Sequence, residues 1–168
     1  MISIVEFEQN LSTLMARMDA ACLASGRSSS TVQLLPVTKN HPVDAVKYAS
    51  ISGLNAVGEN RVQEAAGKRA ETELDIFWEL IGHLQSNKAK EAVAIFDRIQ
   101  SVDSIKLINR LDRFAEESGK RLSILLQCNT GEDPKKFGFR VEQMEAALEA
   151  ALAKKHLEVQ GFMTVAPL

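Results

Sequence analysis

Apolar residues recur along this chain with two alternating periods. Ile4, Phe7, Leu11, Leu14, Met15, Met18 and Cys22 fall at helical spacing. Ser3, with Glu6 three residues on, makes a capping box before them. The polar stretch from Ser25 to Ser30 ends this helix. Val32 to Thr38 is then a compact β-branched and aliphatic run that predicts a strand, and a helix opened by Pro42 and closed near Gly53 follows. From there the two periods take turns. Strands are expected over Leu54 to Val57, Ile76 to Ile81, Arg98 to Val102, Leu122 to Asn129 and Leu157 to Thr164. Helices are expected over Glu59 to about Glu73, Ser86 to Phe96, Ser104 to Ser118 and Val141 to Ala153. The last of these presents Val141, Met144, Leu148, Ala151 and Leu152 as its inner stripe.

A leading helix followed by repeated β–α units argues for a parallel sheet with crossover helices. Two architectures fit: an open doubly wound sheet, or a (β/α)8 barrel cut short after about six strands. Pro36 stands against the first strand, because it has no N–H for a ladder, so a local bulge or a missing hydrogen bond is expected there. A length of 168 residues suits one core, so residues 1–168 are read as a single domain.

Composition narrows the function classes. A formal net charge of -2 gives no global pull toward nucleic acid, and 5% aromatics supply few stacking platforms for single strands. No apolar run has the length of a membrane span, and the N-terminus lacks the pattern of a signal peptide, so a cytoplasmic chain is expected. Cys22 and Cys128 read as small core residues. No cluster has metal-ligand spacing, and the glycines form no phosphate-binding fingerprint.

Ligands of parallel α/β proteins bind at the C-terminal ends of the strands. The polar residues expected there are Thr38-Lys39-Asn40, Gly58-Glu59-Asn60, the run from Gly82 to Lys88, Ser101 to Ser104, Gln127 to Thr130, and Met163-Thr164. Asn60, Ser86 and Asp103 or Ser104 suit helix caps, and Asn129 and Thr130 suit turns. His83 suits either an acid–base role or a hydrogen-bonded strand end. Lys39 directly follows an apolar strand. A lysine so placed pairs with an acid, does chemistry as a nucleophilic amine, or merely lines a loop.

Taken together, these segments resemble one family. Pro36-Val37-Thr38-Lys39, the run from Val57 to Glu64 containing Gly58-Glu59-Asn60, Trp78 to Ile81 followed by Gly82-His83-Leu84-Gln85-Ser86-Asn87-Lys88, Ser101 to Ser104, Gln127-Cys128-Asn129, Lys136-Phe137-Gly138 and Gly161-Phe162-Met163-Thr164 occur in its order. The chain is similar to the YggS-like pyridoxal phosphate homeostasis proteins, which are related to the barrel domain of alanine racemase. The resemblance implies a (β/α)8 barrel holding pyridoxal 5'-phosphate as a Schiff base on Lys39, with Asn60, His83, Asn129 and Met163 around the cofactor mouth. It implies storage or buffering of the cofactor, and exchange with client enzymes, rather than turnover. A racemase-type enzyme or an inactive barrel fragment is the alternative. Two positions depart from the family pattern: Glu79 stands where a histidine is usual, and Arg61 where an aromatic is frequent. The resemblance also implies two further β–α units carrying the phosphate-binding segments, beyond Pro167-Leu168. Without them, weak cofactor retention and self-association through open barrel edges are expected.

Overall fold

The computed structural model describes residues 2–166. The Ser3 hydroxyl accepts the Glu6 amide at 3.2 Å and starts helix α1 (Ile4–Ala24). The expected stripe along α1 is half-buried, with Cys22 fully buried, but Leu14 turns to solvent. Val32 to Thr38 does not form a full strand. Only Val37 bridges, in parallel, to Gly58. The Gly58 amide donates to the Pro36 carbonyl at 2.8 Å, and the Thr38 amide to the Gly58 carbonyl at 3.0 Å. Pro36 has no amide proton, so the ladder has no donor there.

Five strands follow: β1 (Ala56–Glu59), β2 (Phe77–Leu80), β3 (Arg98–Val102), β4 (Leu122–Gln127) and β5 (Leu157–Met163). They pair in parallel in chain order, and the Val37 bridge places a sixth segment beside β1. The crossover helices are α2 (Asp44–Ile51), α3 (Val62–Ala70), α4 (Ala89–Ile95), α5 (Ile105–Glu117) and α6 (Met144–Leu152). Ser104 caps α5 by accepting the Leu107 amide at 3.3 Å, a contact that stabilises by about 1 kcal/mol. Gly119 follows that helix at φ 63°, a left-handed conformation that glycine adopts without a Cβ penalty.

Strand side chains alternate between faces. Val57, Trp78, Leu80, Ile99, Leu122, Ile124 and Leu126 are buried in one core with Val46, Ala65, Val93, Ile108, Leu111 and Ala151 from the helices. The opposite face carries a polar cluster. Arg98 grips the buried Glu79 with two bonds, Nε to Oε2 at 2.7 Å and Nη2 to Oε1 at 2.6 Å. Gln100 donates to Glu79 Oε2 at 2.6 Å, and Arg98 Nη1 reaches Gln160 Oε1 at 3.0 Å. The last bond spans from β3 to β5 across β4, so this face is concave. Helices outside and a concave inner face make the wall of a β/α barrel. A doubly wound sheet would carry helices on both faces.

Two further element assignments are corrected. Strand β1 runs two residues later than the apolar pattern predicts, which puts Glu59 in the sheet rather than in a helix. The α6 stripe is shifted, because a 3-10 turn at Val141–Gln143 precedes the helix. Val141 and Leu152 are therefore exposed, while Ala147 and Ala151 are buried. Cys22 and Cys128 are buried and unpaired, as expected. Among the described residues no helix is long and apolar enough to cross a membrane, and no group of side chains has the makings of a metal site.

Candidate functional site

The C-terminal strand ends bring four of the five predicted site positions, Lys39, Asn60, His83 and Asn129, onto neighbouring loops. Lys39 leaves the first segment just after Thr38. Thr38 is buried toward the helix layer and Val37 is exposed on the other face, the side of Gly58, Ile81 and Leu35. Lys39 and Asn40 follow in a turn that the His41 amide closes by donating to the Thr38 carbonyl at 3.1 Å. Lys39 is exposed, and its Nζ has no hydrogen-bond or ion-pair partner among the described residues. The register that pairs Val37 with Gly58 sets Asn60, two residues on, beside Lys39.

Asn60 meets the next strand end through backbone. A Cβ on Gly82 would lie 2.3 Å from the Asn60 carbonyl oxygen and 2.7 Å from its Cα. Only glycine admits that approach, and it sets His83 beside Asn60. Both residues line one cleft of about 320 Å³, with Arg61, Gln63, Gln85 and Lys88. His83 Nδ1 lies 2.9 Å from Asp103 Oδ2, at the end of β3. Its ring is stacked on Phe137, with centroids 3.5 Å apart and planes 7° from parallel. Asp103 therefore orients the imidazole, while Ser104 takes the capping role.

Phe137 arrives on the loop after β4, and Asn129 shapes that loop. The Asn129 side-chain amide donates to the Asp133 carbonyl at 2.8 Å and to the Lys136 carbonyl at 3.3 Å, and its Oδ1 accepts the Asp133 amide at 3.3 Å. The segment then returns along β4. Phe139 bridges in parallel to Cys128, and Gln127 Nε2 donates to the Phe137 carbonyl at 3.0 Å. Asn129 thus works as a turn former that carries Phe137 to His83. Met163 ends β5, at the far edge of the strand order from Lys39; its carbonyl accepts the Cys128 amide at 2.8 Å.

Three further residues meet near Lys39, and of these Lys68 carries no local signal in the sequence. Glu59 is fully buried, and its Oε1 accepts the Thr38 hydroxyl at 2.6 Å and Lys68 Nζ at 2.6 Å. Lys68, on α3, also donates to the Thr38 carbonyl at 2.7 Å and to Glu64 Oε1 at 2.8 Å. Glu64 Oε1 accepts the Asn40 amide at 2.6 Å. Burial pushes the Glu64 carboxyl up, but the Lys68 ammonium and the Asn40 amide outweigh it and hold the group below the usual carboxylate range. A lowered carboxylate contributes stability above its unfolded-state range, and that stability is lost as pH falls through its folded value.

The family model for the N-terminal domain of alanine racemase matches residues 3–167. The pyridoxal phosphate homeostasis protein of Pseudomonas aeruginosa is 36% identical over 158 residues, covering 94% of this chain and 69% of that protein. PipY of Synechococcus elongatus, solved without pyridoxal phosphate, is 44% identical with a TM-score of 0.79, covering 92% of this chain and 72% of that one. Its form with pyridoxal phosphate bound superposes with a TM-score of 0.76 at 42% identity and covers 92% and 71%. The chain belongs to the alanine racemase N-terminal domain family and, within it, to the pyridoxal phosphate homeostasis proteins.

Proposed function

We propose that this chain binds pyridoxal 5'-phosphate through Lys39 and serves its intracellular homeostasis without turning over amino acids. The observation that carries the reading is an exposed amine, without a partner among the described residues, at the C-terminal end of a parallel segment, in a chain 42% identical to a protein that binds this cofactor. The residues present suit the group. Pyridoxal phosphate brings an aldehyde, which condenses with a primary amine and releases water. Lys39 supplies the amine. Arg61 lines the neighbouring cleft and gives it positive charge for an anionic group, beside Lys88, which is paired with Glu91 at 3.0 Å. The His83 ring, packed flat on Phe137 and tethered by Asp103, offers a rigid planar neighbour. Asn60 and Met163 complete the proposed surround, and Asn129 acts through the loop it folds.

Racemisation needs a second base at the substrate Cα, on the face opposite the amine. The only tyrosine, Tyr48, lies on α2 against Phe7, with ring centroids 6.0 Å apart, in a cleft that Val37, Thr38 and His41 also line. A cytoplasmic location, delivery to client enzymes that use the same cofactor, and self-association along the β5 edge belong to the same proposal. Phe162 on β5 is 58% exposed, which gives that edge apolar surface.

Two measurements test the reading. Titration with pyridoxal phosphate is expected to give a saturable absorbance change in the wild-type protein and none in Lys39→Ala. Incubation of the loaded protein with L-alanine or L-serine is expected to give no Lys39-dependent product. An absorbance change that survives in Lys39→Ala would remove Lys39 from the proposal. Product that disappears in that variant would make the protein an enzyme.

A further inference from the structure

We propose that Lys68 and Glu64 form a clamp on the backbone either side of Lys39, so that both act as positioning residues for that amine. The proposal rests on the reading that Lys39 carries the cofactor. The clamp has two jaws. On the N-terminal side the Thr38 carbonyl accepts Lys68 Nζ at 2.7 Å, while the Thr38 hydroxyl is tied to Glu59. On the C-terminal side the Asn40 amide donates to Glu64 Oε1 at 2.6 Å. Lys68 Nζ and Glu64 Oε1 lie 2.8 Å apart and join the jaws. The peptide units flanking Lys39 are thereby held from α3, while the Lys39 side chain has no partner among the described residues.

Stability alone does not account for this arrangement. Lys68 is only 6% exposed, and burying an ammonium with two carboxylates is often no better than packing apolar side chains of the same volume. The cluster is also incompletely satisfied, because Glu59 Oε2 is buried and has no hydrogen-bond partner among the described residues. Asn40 is held at φ 61°, a left-handed conformation that is uncommon outside glycine. Under-satisfied buried charge and backbone strain at one turn are features that persist where geometry serves a site. What this cluster fixes is the direction in which residue 39 leaves the sheet.

The test measures how fast an aldehyde adduct forms on Lys39, fixed with cyanoborohydride and mapped by peptide mass. It uses both pyridoxal phosphate and phosphate-free pyridoxal. Glu64→Ala opens the C-terminal jaw and leaves the Glu59–Lys68 pair intact on a helix that alanine favours, so the fold is expected to hold. Loss of orientation is expected to slow adduct formation at Lys39 about tenfold or more. The factor should be the same for both aldehydes, because the clamp acts on the amine and not on a phosphate. Glu64→Gln keeps an acceptor for the Asn40 amide and is expected to stay within about threefold of wild type. In the wild-type protein the Asn40 amide should exchange slowly with solvent.

Wild-type rates in Glu64→Ala would overturn the clamp. So would equal slowing in Glu64→Gln, or an Asn40 amide in the wild-type protein that exchanges as a free peptide does. No adduct on Lys39 in the wild-type protein would instead overturn the cofactor reading, and the clamp with it. A wild-type adduct alongside an unaffected Glu64→Ala overturns the clamp alone.

Discussion

Gly82→Ala is expected to cost about 3 kcal/mol or more of folding stability. The added Cβ would stand 2.3 Å from the Asn60 carbonyl oxygen and 2.9 Å from its carbonyl carbon. These are backbone atoms, so no flexible side chain can move aside. The loops after β1 and β2 must separate instead. Urea unfolding should show the loss as a lower midpoint at nearly unchanged slope. The same separation moves Asn60 away from His83, so cofactor affinity should fall together with stability. Gly67→Ala is the control, because a Cβ there meets nothing within 4 Å and the position lies in α3. It should be neutral or stabilising by up to about 1 kcal/mol. Equal stability of Gly82→Ala and the wild type would show that the two loops are not in the contact described.

The second large effect lies deeper in the barrel wall. Arg98→Met is expected to cost about 2–3 kcal/mol, because it leaves the Glu79 carboxylate buried with Gln100 as its remaining donor. The figure sits below that for a wholly enclosed pair, since the Arg98 side chain is 23% exposed and the pair borders a cavity of about 310 Å³. Glu79→Gln combined with Arg98→Met removes the orphaned charge, and should recover at least half of the loss. A double variant as unstable as the sum of the single variants would mean that the two side chains do not act as a pair.

The order of elements was legible because both hydrophobic periods are strong. Ile76 to Ile81 is an apolar run broken only by Glu79, and α5 carries Leu107, Ile108, Leu111, Phe114 and Ala115 on one buried side. Pro36 signalled a defective first strand, and the pairing there is reduced to a single bridge. What stayed hidden depends on residues far apart in the chain. Lys68 reads as one more surface lysine on a polar helix; only the fold sets it against Thr38, thirty positions away. Glu59 reads as a helix start, because Gly58-Glu59-Asn60 has the composition of a loop, yet Glu59 is the buried last residue of β1. Phe137 follows a polar loop and shows no period that would pair it with His83. Asn129 is the reverse case. Its local signal was that of a turn former, and its side chain does build a turn.

The proposal stands or falls on Lys39. Wild-type protein and Lys39→Ala should be incubated with pyridoxal phosphate, reduced with borohydride, weighed intact and mapped by peptide mass. One added pyridoxyl phosphate group is expected on the wild-type chain, on the peptide that contains Lys39, and none on Lys39→Ala, which should keep the same unfolding midpoint. Modification of Lys88, Lys136 or any other lysine while Lys39 stays free would contradict it.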